Sequence, residues 1–179
     1  MPKPEFDKQP ILENDLIRIL PLKPADFEVL YAVASDPLVW EQHPNKDRYQ
    51  RQVFQNFFTG ALESKGAFLV LERATGAVIG SSRFYDSEKE DSITIGYTFI
   101  GRAYWGKQYN ASLKKLMIDY ALNHFNAVIF HVGSKNIRSQ KAIERLGAQK
   151  IAEQEIAYYG EPAKLNFIYR ISKKEWLER

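Results

Sequence analysis

Hydrophobic positions recur along the chain with two different periods, and each period predicts a type of secondary structure. Alternating or continuous apolar residues predict seven strands, over 11–20, 67–72, 78–85, 92–100, 127–132, 149–158 and 164–171. Apolar residues at helical spacing predict four helices, over about 24–35, 48–64, 111–125 and 136–146. The predicted order is therefore β-α-α-β-β-β-α-β-α-β-β.

Turn signals predict how these elements connect. Ala74-Thr75-Gly76 separates two strands and is a hairpin signal, so the middle strands are expected to be antiparallel. The helix over 111–125 instead joins two strands by a crossover, which requires a parallel pair. We therefore predict an α/β fold with a mixed, mostly antiparallel sheet, a central parallel βαβ pair and helices on both faces. A length of 179 residues predicts a single domain over 1–179.

The segment Tyr104–Asn110 lies where a predicted strand meets a predicted helix, and it has the features of a phosphate site. Gly106 lets the backbone approach a ligand closely, because no side chain stands in the way. The helix that follows offers unpaired N–H groups and the positive end of its dipole. Lys107, Lys114 and Lys115 add positive charge nearby. Many ordinary strand-to-helix connections contain the same residues, so this pattern fits either a pyrophosphate site or a plain connection.

Composition and charge narrow the class of protein. No apolar run approaches the roughly 20 residues that span a bilayer, and the N-terminal residues lack the apolar core of a secretory signal. Since the chain has no cysteine, it has no disulfide, thiol nucleophile or thiolate metal site. We therefore expect a cytoplasmic protein that uses no metal and has no membrane partner.

The net charge of +3 is too small to predict a nucleic-acid partner, for which a clustered basic face is expected. Residues 135–150 nevertheless hold five basic residues, Lys135, Arg138, Lys141, Arg145 and Lys150, and one acid, Glu144. This cluster fits either a solvated helix face or an anionic ligand at the start of the helix.

Two motifs add to this pattern. The first is IGYTFI at 95–100 followed by YWGK at 104–107, and the second is NIRSQKAIERLGA at 136–148. Together with the order of elements, they resemble the GCN5-related N-acetyltransferase (GNAT) superfamily, and within it the subgroup of the RimJ and RimL ribosomal-protein acetyltransferases. The resemblance extends from about Leu16 to Trp176.

This resemblance implies that acetyl-CoA is a co-substrate, with its pyrophosphate on the loop before the helix and its pantetheine arm beside the strand over 92–100. It also implies that Ser139 is a candidate acid for the departing CoA thiolate. The cofactor-binding residues expected on this basis are Tyr97, Thr98, Phe99, Trp105, Gly106, Lys107, Gln108, Tyr109, Asn110, Asn136 and Ser139.

The chain departs from the family pattern at several positions. Ala103 and Gln108 replace two residues of the usual loop, of which only the central glycine, Gly106, is kept. Backbone binding of phosphate is still expected with Gln108 if its φ is negative. Ile143 stands where many relatives have a tyrosine acid, and Thr94 precedes the strand motif where an acidic base is common.

The residues after the first helix are candidates for the acceptor side. Glu41 and His43 are expected either to deprotonate or orient an amine, or to lie in a solvated loop. Arg83 is expected to pair with a carboxylate, either of the substrate or of a neighbouring glutamate, and His131 to be either catalytic or a buried, hydrogen-bonded histidine. The remaining candidates fit either an acceptor pocket or a structural role: Tyr85, Asp86, Tyr97, Tyr158 and Tyr159.

The resemblance thus implies an N-acetyltransferase that moves an acetyl group from acetyl-CoA to a primary amine by direct attack in a ternary complex. The acceptor is expected to be a protein N-terminus or a small amine, and the chain a monomer or homodimer. The missing acid and base leave an alternative of a different class, a catalytically silent GNAT-fold module that binds CoA or a protein.

Overall fold

A computed structural model describes residues 5–157 and 161–179, so Tyr158 and Tyr159 lie outside the described residues. Its eight strands form one sheet in the order β1-β2-β3-β4-β5-β6-β8-β7. The strands are β1 Leu12–Glu13, β2 Ile17–Pro21, β3 Ala67–Glu72, β4 Val78–Asp86, β5 Ser92–Ile100, β6 Ala127–Gly133, β7 Gln149–Ile156 and β8 Lys164–Ser172. The helices are α1 Phe27–Ala34, α2 Arg51–Ser64, α3 Tyr109–Ala121, α4 Ile137–Arg145 and α5 Lys173–Glu178.

The predicted α/β fold is confirmed: the sheet is mixed and mostly antiparallel, with β5 and β6 as its parallel pair. The predicted first strand is wrong in one respect, because it is two strands. Asn14 breaks it, since its side-chain Oδ1 accepts the N–H groups of Leu16 and Ile17 at 3.0 Å and so turns the chain. The short helix α5 was not predicted. Ser172 and Glu175 form a capping box at its start, and Trp176 anchors it in the core.

Two hydrophobic clusters fix the helices on opposite faces of the sheet. Helices α3 and α4 pack on one face through buried residues that include Leu113, Met117 and Ile143. Helices α1 and α2 pack on the other face, where Phe54 and Phe57 contact Phe99 of β5. Because both clusters contain residues of β5, this strand is held in place from both faces of the sheet.

The parallel pair stays together over only part of its length. Residues Ser92–Ile95 of β5 pair with Ala127–Phe130 of β6, and beyond these residues both strands continue without pairing to each other. Tyr97, just past the separation, has a φ of 54°, and the β4–β5 register shifts between Ser81 and Arg83. The two strands therefore diverge and leave a gap in the middle of the sheet.

Candidate functional site

A groove of about 590 Å³ occupies this gap between β5 and β6. Its walls are residues 95–100 of β5 and 130–133 of β6, and it continues along the start of α3 and the groove side of α4. In the sheet, each backbone group normally pairs with a neighbouring strand. The facing edges of the two diverging strands are not paired to each other, so they can bind a ligand that carries amide groups.

At one end, the groove meets the loop between β5 and α3. A 3-10 turn, Arg102–Tyr104, leads into this loop, in which Gly106 and Gln108 both have positive φ values, 71° and 75°. The condition under which backbone binding of phosphate was expected, a negative φ at Gln108, is therefore not met, because the N-terminal cap of α3 is left-handed. Changes in the sign of φ turn successive N–H groups toward one side and form a concave anion site.

Helix α3 adds to this concave site. It begins at Tyr109, two residues earlier than predicted, so the unpaired N–H groups of its first turn belong to Tyr109, Asn110 and Ala111. All three residues line the groove. The phenol of Tyr109 donates a hydrogen bond to Glu72 at the end of β3, which fixes the start of the helix. The loop and the helix start together can hold a pyrophosphate with backbone groups alone.

An aromatic and a cationic side chain meet beside the loop. The guanidinium carbon of Arg138 lies 3.9 Å from the centroid of the Trp105 ring, and the indole Nε1 of Trp105 donates to the Ile100 carbonyl at 2.8 Å. Arg138 and Arg145 both line the groove. All four residues are exposed, and Lys135 and Lys141 lie outside the groove, so Arg138, at the start of α4, is the member of the cluster placed to meet an anionic ligand there.

Lys114, on the second turn of α3, places a buried amine in the groove. Its Nζ donates to the Thr98 hydroxyl at 2.6 Å, and this hydroxyl also lies 2.8 Å from Ser82 Oγ. Burial lowers the pKa of Lys114 to about 7. The amine is therefore close to half neutral at pH 7.

Helix α4 forms the opposite wall. Asn136 caps it, with Oδ1 accepting the Ser139 N–H at 3.3 Å. The Gln140 side chain ties the helix back to β6 by donating to the Gly133 carbonyl at 2.9 Å. Asn136 and Ser139 both line the groove, so this wall holds the two polar residues that the motif singled out.

The other end of the groove is formed by the segment between α1 and α2. This segment is not a solvated loop: Trp40 is buried and donates from Nε1 to the Ala34 carbonyl at 2.8 Å. Pro44 packs against Gly133 of β6, where a Cβ atom would lie 2.2 Å from the proline ring. Gln42 accepts the Arg138 N–H at 3.0 Å. These contacts bring His43 to the groove, whereas Glu41 is exposed and lies outside it.

His43 is held between donors. Its Nε2 lies 3.2 Å from the Arg48 guanidinium, and its Nδ1 lies 3.2 Å from the Asn45 backbone nitrogen. Burial first, and then the charge of Arg48, lower the pKa of His43 well below its ordinary value of 6.5. The ring is thus neutral at pH 7. The Asn45 N–H donates to Nδ1, and burial together with the nearby charge of Arg48 disfavours protonation of the ring, which makes His43 a weak base.

Buried ionic and aromatic side chains complete this end. Arg48 donates from Nε to Glu161 at 2.7 Å and forms a second, shorter contact with it. Tyr85 lies 3.2 Å from His131 Nδ1 and packs edge-on against Tyr97. Burial lowers the pKa of His131 as well. The end of the groove is therefore lined by aromatic rings and cations rather than by acids.

Most of the predicted cofactor residues thus meet in one groove. It is lined by Tyr97, Thr98, Phe99, Trp105, Gly106, Gln108, Tyr109, Asn110, Asn136, Ser139 and His43, and not by Lys107 or Glu41. Sequence reasoning missed Arg48, whose partner Glu161 is 113 residues away and gives no local signal. It named Lys114 only as a positive charge near the phosphate site and not as a groove residue. Its position on the second turn of the helix that follows the loop could have indicated that it lines the groove.

The described part of the chain has neither a candidate metal site nor a candidate membrane-spanning helix. The described residues contain no group of three or more metal-ligating side chains. Among residues 5–157 and 161–179, no helix is long and apolar enough to cross a membrane.

Comparison with known proteins gives one family match. A family model described as an acetyltransferase (GNAT) domain matches residues 17–149. A search of curated proteins finds no match.

Several solved structures share the fold. A GCN5-related N-acetyltransferase from Brucella melitensis superposes with a TM-score of 0.81 at 19% identity, over 98% of this chain and 83% of that one. RimJ from Mycobacterium smegmatis, in complex with CoA-disulfide, has a TM-score of 0.67 at 12% identity, over 89% and 83% of the two chains. Spermidine N-acetyltransferase from Vibrio cholerae, with CoA and spermine, has a TM-score of 0.67 at 14% identity, over 92% and 99%. Identities this low show the shared fold, so the RimJ/RimL subgroup stays a prediction.

Proposed function

The chain belongs to the GNAT acetyltransferase domain family, and on that premise we propose that it transfers an acetyl group from acetyl-CoA to a primary amine. Use of acetyl-CoA follows from membership of the family, whereas a primary amine as acceptor is proposed here for this chain. The observation that supports it most is the groove between the diverging strands β5 and β6, with a concave backbone loop at one end.

The cofactor residues proposed from the sequence follow the groove in order. The pyrophosphate would lie on the N–H groups of Gly106 and of the first turn of α3, beside Arg138. The pantetheine arm would continue between the unpaired edges of β5 and β6, with Asn136 and Ser139 on its other side. This path ends with the thioester near Tyr97, where the two strands separate.

The chemistry requires a positioned amine more than a reactive side chain. The amine nitrogen attacks the thioester carbonyl carbon, a C–N bond forms, the C–S bond breaks and the CoA thiolate takes up a proton. Attack is direct in a ternary complex, since there is no cysteine to carry an acyl group. We propose that Ser139 donates to the departing sulfur, and that His43, being neutral and pinned by Arg48, orients the amine instead of deprotonating it.

A silent CoA-binding module remains the second candidate, because the described groove lining contains no aspartate or glutamate. Thr94 and Ile143, which stand at the family's acid and base positions, are both buried. In the enzymatic proposal, the amine loses its proton to solvent through the open groove. In the alternative, acetyl-CoA binds but is not consumed.

One experiment separates the two candidates. The protein is incubated with acetyl-CoA and a mixed panel of primary amines, release of free CoA thiol is followed, and CoA binding is measured by calorimetry. Thiol release that depends on the amine supports the enzyme, while binding without release supports the silent module. If CoA neither binds nor raises the melting temperature at saturation, the cofactor assignment is wrong.

Compartment and assembly belong to the same proposal. A chain without cysteine and without a predicted membrane partner fits a cytoplasmic enzyme. We keep monomer and homodimer as the two expected states, and gel filtration with light scattering decides between them.

A further inference from the structure

One buried cation next to the groove forms no ion pair with any described residue, although the charge of Glu161 acts on it from farther away. Arg83 lies on β4, is 5% exposed, and its guanidinium carbon is 3.7 Å from the centroid of the Tyr97 ring and 5.6 Å from that of Phe57. No described residue accepts a hydrogen bond from its Nε. Aromatic rings thus cover the guanidinium, but they do not replace the hydrogen bonds it had in water.

Such an arrangement is costly in a structure without a ligand. Removing a charge from water without a counter-ion is strongly unfavourable, so buried cations are normally paired. Burial accordingly lowers the pKa of Arg83 to about 10. Stability of the fold therefore does not explain an arginine at this position, and we look for its role in ligand binding.

The neighbouring arginine shows what a satisfied pair looks like in the same place. Arg48 is 1% exposed and binds Glu161 with two nitrogens. Arg48 and Arg83 thus bring two positive charges, and Glu161 brings one negative charge. His43 and His131 add no charge to this count, because their lowered pKa values keep both neutral at pH 7. This end of the groove carries a surplus of one buried positive charge.

The surplus charge lies beside the predicted position of the acceptor. Tyr97, whose ring stacks on Arg83, lines the groove at the point where β5 and β6 separate. Arg48, which lines the same end, is close enough to Arg83 for the two charges to influence each other. An acceptor whose amine reaches the thioester near Tyr97 therefore has its remaining atoms next to a cation without a partner.

We propose that the acceptor is a small amine that also carries a carboxylate, an amino acid in the broad sense, and that Arg83 binds this carboxylate. The inference rests on the proposed function, since it names the acceptor class of the same site. Tyr97, which lines the groove, covers one face of the guanidinium, whereas Arg83 itself is not among the groove-lining residues. The planar N–H edge of a guanidinium matches the two oxygens of a carboxylate, so the acceptor's carboxylate would reach Arg83 beside the Tyr97 ring. A polyamine is disfavoured, because it would add positive charge to an end of the groove where the buried arginines already outnumber the buried acid.

The first test uses the wild-type protein and matched acceptors. Acetylation is followed by CoA release with β-alanine, γ-aminobutyrate and the L-α-amino acids, each compared with the carboxamide of the same compound, and with spermidine. We expect kcat/KM for the best acid to exceed that for its amide at least about tenfold. The α-amides contain the less basic amines and hold more free base at neutral pH, so this preference would run against intrinsic reactivity. Equal values for acid and amide, or a preference for spermidine, would overturn the proposal.

The second test changes the cation. Arg83→Gln should lower kcat/KM for the acids at least about tenfold and by more than for the amides, so that the ratio falls toward one, and Arg83→Lys should restore part of it. Arg51→Gln is the matched control, because Arg51 also lies over a tyrosine, 4.8 Å from the Tyr31 ring, but on an exposed surface of α2. An unchanged acid-to-amide ratio in a folded Arg83→Gln protein contradicts the proposal.

Failure of the proposed enzymatic function gives results that differ from failure of the carboxylate site. If CoA binds but no amine is acetylated, the enzyme proposal fails, and the inference is then decided by binding alone. The CoA-saturated protein should be stabilised against heat by the carboxylate acceptors and not by their amides. If no acid of the panel is either acetylated or bound, the carboxylate site is wrong whether or not the protein is an enzyme.

Discussion

The two ends of the groove are built from different kinds of groups. At the cofactor end, the ligand is expected on backbone N–H groups of the loop around Gly106 and of the first turn of α3. At the acceptor end, the lining is made of side chains that come from distant parts of the chain, Arg48, Tyr97 and His131 among them. Backbone groups suit a ligand that is common to a family. Side chains can change from one protein to another, and they select the acceptor.

The two ends also differ in how they handle charge. The cofactor end presents backbone dipoles, the arginines Arg138 and Arg145 at its wall, and the amine of Lys114, whose pKa is lowered to about 7. The acceptor end holds one satisfied ion pair, Arg48 with Glu161, and one cation without a pair, Arg83. The comparison therefore makes separate predictions for stability and for binding.

The largest effect is expected from breaking the ion pair. Arg48→Met leaves Glu161 buried without a partner and should lower the free energy of unfolding by about 3–5 kcal/mol. Arg83→Met removes a charge that has no partner and should leave stability unchanged or raise it. Urea unfolding of the two variants measures both values. A similar large loss in both variants would show that Arg83 is a structural cation and would break the comparison.

Lys114→Met should sharpen the description of the cofactor end. Burial lowers the pKa of the folded-state amine from 10.5 to about 7, so the folded state resists protonation. The cost is fully present below pH 7, where the amine is charged in both states, and it disappears as the pH rises toward 10.5. The variant should be more stable than wild type by on the order of 3 kcal/mol at pH 6, and the difference should shrink by pH 9. Urea unfolding at several pH values checks this, and a difference independent of pH would contradict it.

Gly106→Val tests the concave backbone site formed by the loop around Gly106 and the first turn of α3. The added side chain would stand where the phosphates are proposed to bind, and we expect the Kd for CoA to rise at least about tenfold, or ~1.4 kcal/mol. Gly76→Val is a matched control, because Gly76 has a φ of 76° and open space around it, like Gly106, but lies in the β3–β4 turn. Both variants should lose similar stability, and calorimetry should show weaker CoA binding in the first alone. Equal affinity of the two variants for CoA would show that the backbone around Gly106 does not bind the phosphates.

The smallest effect concerns Gln108. A non-glycine residue in the left-handed region is strained by roughly 1 kcal/mol, so Gln108→Gly should raise the free energy of unfolding by about that amount while CoA binding is kept. Lys107→Gly, at a position whose φ is not positive, should lower stability slightly because glycine adds freedom to the unfolded chain. Thermal unfolding of both variants measures the difference, and a loss of stability in Gln108→Gly would contradict the strain.

Local pattern was enough for most of the fold and for one end of the site. The hairpin turn at 74–76, the apolar spacing of α3 and the Asn136 cap are short-range features. The turn and the cap are found where they were predicted, and α3 is a helix but spans Tyr109–Ala121 instead of 111–125. Gly106 was recognisable because a loop before a helix is a local motif. The φ of Gln108 was not, since a glutamine favours negative φ and only the closure of the loop onto α3 imposes the opposite sign.

The order of elements and the loop before α3 could be recognised in the sequence, because these depend on periodicity and on residues within a few positions of each other. Which charges meet depends instead on the tertiary structure. Arg48 meets Glu161 across 113 residues, Arg83 has no ionic partner described, and Glu41 lies outside the groove that His43 lines. Pairing of this kind depends on how α1, α2 and the sheet pack, and burial then sets the energy of each charge.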